Sequence, residues 1–325
     1  MSALDRSAPG QRLPVIDMAR GAALIAMFGY HLTWDLADFG FIASQTPFSP
    51  GMRLFSHAIA SSFLFIAGAS LVLARRMPFR WGAYWRRIGI VAAAAAAVSI
   101  ASWVAFPDGL ILFGILHCIA AASLLALPFL FLPWPAALGA AAVAASLPFA
   151  VASQTFDGPG LIWTGLGTVE PNSNDFRPLL PWAAALLAGV GVMQFALPRG
   201  GLAALARVEG AHAPARALAF GGRHSLLIYL VHQPAFFAAL TAAVWAFGPP
   251  SAAPPAPDEA PFRAGCERQC LGSSTSPGVC VSACGCAARG MKRLNLWDKL
   301  VRNELDAAEK SILSHLAADC VAHPN

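Results

Sequence analysis

The sequence predicts an all-α membrane protein: a polytopic bundle of about seven transmembrane helices followed by a small, cysteine-stapled α-helical C-terminal tail. Three observations predict it. Hydrophobic residues make up 57% of the 325 positions and charged residues 12%, against about 25% charged in an ordinary globular domain. Between Ile88 and Val169 the only formal charges are Asp108 and Asp157, a dryness that no soluble core requires. Six of the seven cysteines gather at the C-terminal end, where the composition turns polar.

Seven apolar stretches, at 15–36, 54–74, 88–106, 110–127, 136–152, 180–197 and 224–247, approach the ~20 residues needed to cross ~30 Å of hydrocarbon. The first carries Asp17 and Arg20, so it does not read as a cleavable signal peptide. The arginines orient the bundle. With the N-terminus in the cytoplasm, the inner side receives Arg6, Arg12 and Arg20, then Arg75, Arg76, Arg80, Arg86 and Arg87, then Arg199, Arg207, Arg216 and Arg223. The outer side receives Arg53 and Arg177. This positive-inside asymmetry places a seven-span protein in a cell inner membrane with its tail in the periplasm. The net charge of +5 belongs to residues 1–248, and the tail sums to zero. No basic stripe with interleaved aromatics points to nucleic acid. Three regions result: a membrane domain at 1–248, a proline-rich linker at 249–262 and a Cys-rich extracytoplasmic tail at 263–325. The run Ala92–Ala97 in the third span suits close approach of helix backbones.

The first span carries the chemistry. Ionisable groups inside a spanning helix are expensive and usually face the bundle interior. Positions 17, 20, 24, 27, 31 and 35 fall on one face. Arg20 and His31 are eleven residues apart, within ~20° of each other and separated by ~16 Å along the axis. His31 is the natural base near neutral pH. Asp35, one turn on, is placed to orient its imidazole. Arg20 has the forked donors that suit a phosphate, although Asp17 and Arg20 also read as a structural ion pair. His117 lies at a depth close to that of His31, as a second site residue or as a satisfied core histidine. Arg223 and His224, with Arg20, Arg86 and Arg87, form an anion funnel at the cytoplasmic mouth or simply obey the inside rule. Asn174, Asp175 and Arg177 give the outer loop 153–180 polar hooks, with Trp163 and Trp182 as stacking faces.

An Asp-x-x-Arg-Gly at Asp17–Gly21 followed by His31 resembles the transmembrane acyltransferase superfamily. The fuller string Leu13–Leu36 resembles bacterial relatives of the heparan-α-glucosaminide N-acetyltransferase catalytic domain. Ser62–Ser70, Pro171–Trp182 and Gly222–Pro234 resemble further blocks of that family, in order, over about residues 12–247. The resemblance implies transfer of an acyl group, acetyl foremost, from acyl-CoA entering from the cytoplasm to a sugar or related hydroxyl or amine. His31 and Asp35 are then catalytic; Arg20, Asp17, Arg223 and His224 bind the CoA; His117, Asn174, Asp175 and Arg177 bind the acceptor. His31 acts as a base or carries the acyl group itself. Acyl-CoA is a co-substrate, and no permanently bound cofactor is expected. The partners implied are the bilayer, acyl-CoA and a carbohydrate or glycolipid acceptor, with a homo-oligomer left open. A lipid or small-molecule transporter, or a membrane scaffold presenting the tail, stands as the alternative.

In the tail, Cys266/Cys270 and Cys280/Cys284 are each spaced i, i+4, so each pair lines one face of a helical turn. Gly272, Pro277 and Gly278 between them signal a reversal. Folding back predicts nested bridges Cys266–Cys284 and Cys270–Cys280, which leave Cys286 and Cys320 to pair. Bound zinc is the rival use of the cysteines. An amphipathic helix is expected over 294–320, with Leu294, Trp297, Val301, Leu305, Ala308, Ile312 and Leu316 on one stripe.

Overall fold

A computed structural model describes residues 13–43, 46–75, 78–105, 109–206, 212–248, 259–272, 276–301 and 304–322. Arg6, Arg12, Arg76, Arg207 and linker residues 249–258 lie outside them. The described secondary structure is helical throughout. In order run α1 (Pro14–Asp38), α2 (Pro50–Ala74), α3 (Trp81–Ala105), α4 (Ile115–Ala126), α5 (Trp134–Val151), α6 (Leu179–Ala196), α7 (Gly201–Ala206), α8 (Ala213–Arg223) and α9 (Ser225–Phe247). The tail adds α10 (Glu259–Gly272), α11 (Pro277–Arg293), α12 (Trp297–Val301) and α13 (Ala307–Ala322).

Five helices among the described residues, α2, α3, α5, α9 and α6 with its following turn, are long and apolar enough to cross a membrane. Helix α1 has the length, at 25 residues, but carries the charged stripe. The expected span at 110–127 differs most. Its helix begins only at Ile115 and has 12 residues, about 18 Å of rise. The segment before it is irregular because side chains and a neighbouring loop, rather than helical turns, satisfy its backbone. Phe149, Trp245 and Phe247 are 89%, 88% and 90% exposed, as lipid-facing groups are and water-facing ones of this size seldom are.

The chain forms two compact units, and α1, α2 and α9 each contribute to both. The first comprises 1–28 and 56–232. In it α5 lies along α6, and α4 packs on α6 and α3. Its core is Leu64, Cys118, Ala122, Leu130, Ala137, Leu186, Leu187 and Val190. Of the run Ala92–Ala97, Ala94 and Ala95 are buried against Leu116, with Leu226, Tyr229 and Leu230 alongside, and the other four alanines are exposed. At two crossings helix backbones touch. A Cβ on Gly68 would overlap the Leu186 carbonyl, and one on Gly189 the Phe65 carbonyl; Gly21 meets Leu218 and Gly222 meets Asp17 in the same reciprocal way. Only a residue without a side chain permits that approach.

The second unit comprises 29–55 and 233–325. Its tail has a core of its own, with Ala288, Met291, Trp297 and Leu305 buried and Phe262, Leu313 and Leu316 packed around them. The three expected cysteine pairs form: Cys266–Cys284, Cys270–Cys280 and Cys286–Cys320, with Cα separations of 5.8, 5.6 and 5.7 Å. These three pairs use all six tail cysteines. Helix α10 starts at Glu259, inside the stretch expected to be linker. Glu259 receives Lys292 at 2.6 Å and Arg263 at 2.7 Å, and these cations hold its carboxyl below the usual glutamate range. The expected helix over 294–320 is broken in two. Asp306 Oδ1 accepts from the Glu309 N–H at 2.8 Å and Glu309 Oε2 accepts from the Asp306 N–H at 3.1 Å. That reciprocal capping box starts α13 and ends continuity with α12.

Candidate functional site

Asp17 and Arg20 sit on the first turns of α1, which Gly21 and Gly222 press against α8. Asp17 is 7% exposed, so its charge needs a partner. Arg20 Nη1 donates to Asp17 Oδ1 at 3.1 Å, and Nη2 donates to Ser70 Oγ on α2. One turn earlier on α2, the Ala67 carbonyl accepts from Arg87 Nη2 at 3.4 Å. Two guanidinium groups, from α1 and α3, thus converge on one turn of α2. The ion pair expected from the i, i+3 spacing is present, and the Arg20 side chain remains 28% exposed. Arg223 is exposed at the end of α8, immediately after the Gly222 contact with Asp17. His224 is exposed too and closes α8 with its Nδ1 on the Phe220 carbonyl at 3.0 Å.

The second half of α1 belongs to the other unit. His31 is half-buried, edge-on to Tyr30 at 5.5 Å. Asp35 is 2% exposed. Its Oδ1 accepts from Gln233 Nε2 of α9 at 2.6 Å, a partner that sequence reasoning missed; the only local signal was its place before Pro234. Three polar atoms of this cluster are buried without a hydrogen-bond partner among the described residues: Asp35 Oδ2, Gln233 Oε1 and Trp34 Nε1. Trp34 packs edge-on against Phe48 at 4.8 Å, and Phe39 meets Phe237 at 5.4 Å.

His117, Asn174, Asp175 and Arg177 come together around the irregular segment 109–114. Asp175 Oδ2 accepts from the Ile115 N–H at 2.8 Å, which places a carboxylate at the positive end of α4. The Asn174 N–H donates to the Gly109 carbonyl at 3.1 Å, and the Arg177 N–H to that of Phe113 at 3.0 Å. Asn174 itself is exposed. Arg177 donates to the Phe176 carbonyl and to Ser56 Oγ and lies over the Trp182 ring. The Gly114 N–H donates to His117 Nδ1 at 3.2 Å, so that nitrogen is bare and Nε2 carries the proton. Nε2 faces Ser99 Oγ at 3.3 Å, and that hydroxyl donates onward to the Ile111 carbonyl at 2.6 Å. Ser99 Oγ therefore accepts from Nε2 and gives its own proton to Ile111, so His117 does not take a proton from Ser99. The arrangement satisfies backbone that would otherwise be orphaned at membrane depth. Asp175→Ala is expected to destabilise the protein by about 1–3 kcal/mol, because the Ile115 N–H loses its partner; thermal unfolding in detergent measures it.

His232, 8% exposed, stacks on Phe28 at 5.5 Å and has its Nδ1 on the Tyr229 carbonyl. The arrangement as a whole offers a paired arginine near one end of α1 and an imidazole with a buried carboxylate nearby on the same helix. No curated protein and no solved structure matches the chain. The match to the family model for the catalytic part of heparan-alpha-glucosaminide N-acetyltransferase runs over residues 12–234, from α1 into α9, and the chain belongs to that family.

Proposed function

We propose that this membrane protein transfers an acyl group, acetyl foremost, from acyl-CoA to a sugar or related hydroxyl or amine. Membership of the family supports a membrane acetyltransferase-like activity. The observation that carries the finer reading is α1, which runs unbroken over Pro14–Asp38 and bears both Arg20 and His31. Arg20 and Arg87 supply the cationic end for CoA phosphate, with Asp17 fixing Arg20 and with Arg223 and His224 exposed close to the first turn of α1. His31 takes the proton from the acceptor hydroxyl or amine as its oxygen or nitrogen attacks the thioester carbonyl. The C–S bond then breaks, and the CoA thiolate recovers that proton. Direct transfer of this kind needs no covalent enzyme intermediate and no permanently bound cofactor.

The orientation proposed is a cytoplasmic N-terminus in a bacterial inner membrane with the tail outside. The arginine distribution supports it, as do three disulfides in the tail, since such bonds persist in oxidising compartments. With α1 counted beside the five long apolar helices, an odd number of crossings requires α4, with the segment before it and the turn after it, to complete a seventh span.

Stabilisation of the detergent-solubilised protein by acetyl-CoA, together with acceptor-dependent release of free CoA, tests the reading. Acetyl-CoA binding without any transfer would overturn it in favour of a transporter. Arg20→Lys is expected to raise the KM for acyl-CoA about tenfold, because a point charge cannot replace a forked donor; an unchanged KM would return Arg20 to a purely structural pairing with Asp17.

A further inference from the structure

The buried cluster of Trp34, Asp35 and Gln233 has hydrogen-bonding capacity that the fold does not use. Asp35 Oδ1 and Gln233 Nε2 are joined at 2.6 Å. The second carboxylate oxygen of Asp35, Oδ2, and the amide oxygen of Gln233, Oε1, flank that bond, are buried, and have no hydrogen-bond partner among the described residues. On the adjoining residue, the Trp34 indole N–H is buried and equally without an acceptor. A buried polar group left in this state costs about 1–3 kcal/mol, and buried groups are nearly always satisfied. Two of the three flank one hydrogen-bonded pair and the third is on the next residue of α1; with Asp35 only 2% exposed, they point to a partner that arrives with the substrate.

The residue types state what that partner presents. Two acceptor oxygens call for two O–H or N–H donors. The indole N–H calls for an oxygen and disfavours a bare metal cation, which would face a donor of like polarity. A sugar ring carries both functions on neighbouring carbons, because each hydroxyl donates once and accepts as well. Aromatic rings pack edge-on about Trp34, with Tyr30 at 6.5 Å and Phe48 at 4.8 Å. Phe48 is 56% exposed, and its free face suits the C–H side of a sugar ring.

We infer that Asp35, Gln233 and Trp34 bind the acceptor, gripping neighbouring hydroxyl or amine groups of a carbohydrate one turn beyond His31 on α1. This rests on the acyl-transfer reading for the acceptor's role, but not for the binding itself. Gln233 and Trp34 thereby become specificity-determining residues, and the Asp35 carboxylate has a ligand of its own beside any part it plays toward His31.

The test uses the full chain in detergent, with glucosamine and glucose as probes and sorbitol as the acyclic control. Wild-type protein is expected to gain thermal stability with either sugar. Gln233→Leu, which removes the Oε1 acceptor together with the Nε2 donor to Asp35, and Trp34→Phe, which removes the indole N–H and keeps an aromatic ring, are each expected to abolish that gain. Each is also expected to raise the acceptor KM about tenfold or more and to leave the acyl-CoA KM unchanged. If Gln233→Leu does not fold, Trp34→Phe carries the test. Sugar stabilisation that survives in the folded variants, its absence from wild type, an equal response to sorbitol, or acceptor and acyl-CoA KM values that rise together would overturn the inference. Wild-type protein that transfers no acyl group, yet loses sugar binding in both variants, would sink the proposed function and leave this site standing.

Discussion

His31→Ala is expected to lower acyl transfer by ~10²–10⁴-fold, the usual cost of removing a general base, while the protein still inserts and unfolds at a near wild-type temperature. His31 is half-buried on a helix whose first turns are fixed by Asp17, Arg20 and Ser70. Loss of rate and loss of fold are read separately. CoA release measured beside a thermal melt reads both. Turnover close to wild type in a folded His31→Ala protein would remove His31 as the base. Rapid quenching with labelled acetyl-CoA in the absence of acceptor addresses the other role. Label retained on the wild-type protein but not on His31→Ala would make the imidazole an acyl carrier.

The tail is expected to lose its structure on reduction. Residues 259–322 hold a small apolar core around Met291 and Trp297, and domains of this size depend on cross-links. Removing a native disulfide from such a domain costs about 2–5 kcal/mol. The bridges close loops of different lengths, with sequence separations of 34 for Cys286–Cys320, 18 for Cys266–Cys284 and 10 for Cys270–Cys280. Loop-closure entropy makes the first worth about 1 kcal/mol more than the last. Replacing Cys286 and Cys320 by Ala should therefore do the most damage of the three pairwise removals. Limited proteolysis with and without reductant measures it, with α13 expected to be released first, since Cys286–Cys320 is its covalent tie to α11. Mass spectrometry of unreduced protein from cells checks the compartment: free thiols at all six positions would place the tail on the reducing side and reverse the proposed topology.

The membrane body, the polar face of α1, the family resemblance and the cysteine pairing were all legible in the sequence by itself, because each rests on local pattern. Hydropathy and helical period act over one or two turns, and the i, i+4 cysteines with a reversal between them admit few geometries. The capping box at Asp306 and Glu309 was equally local; the longer apolar stripe over 294–320 obscured it. What only the tertiary structure decided are pairings between distant residues. Asp35 meets Gln233 across 198 positions, and Asp175 reaches Ile115 across 60. No periodicity encodes such partners. They are chosen by which helices cross; two other crossings, α2 with α6 and α1 with α8, depend on reciprocal glycines whose lack of a side chain becomes meaningful only when another backbone occupies the space. The short α4 has the same origin. Its composition reads as a span from residue 110, but Ser99 and Ser102 bind the Ile111 backbone, His117 the Gly114 N–H and Asp175 the Ile115 N–H, in place of further helical turns.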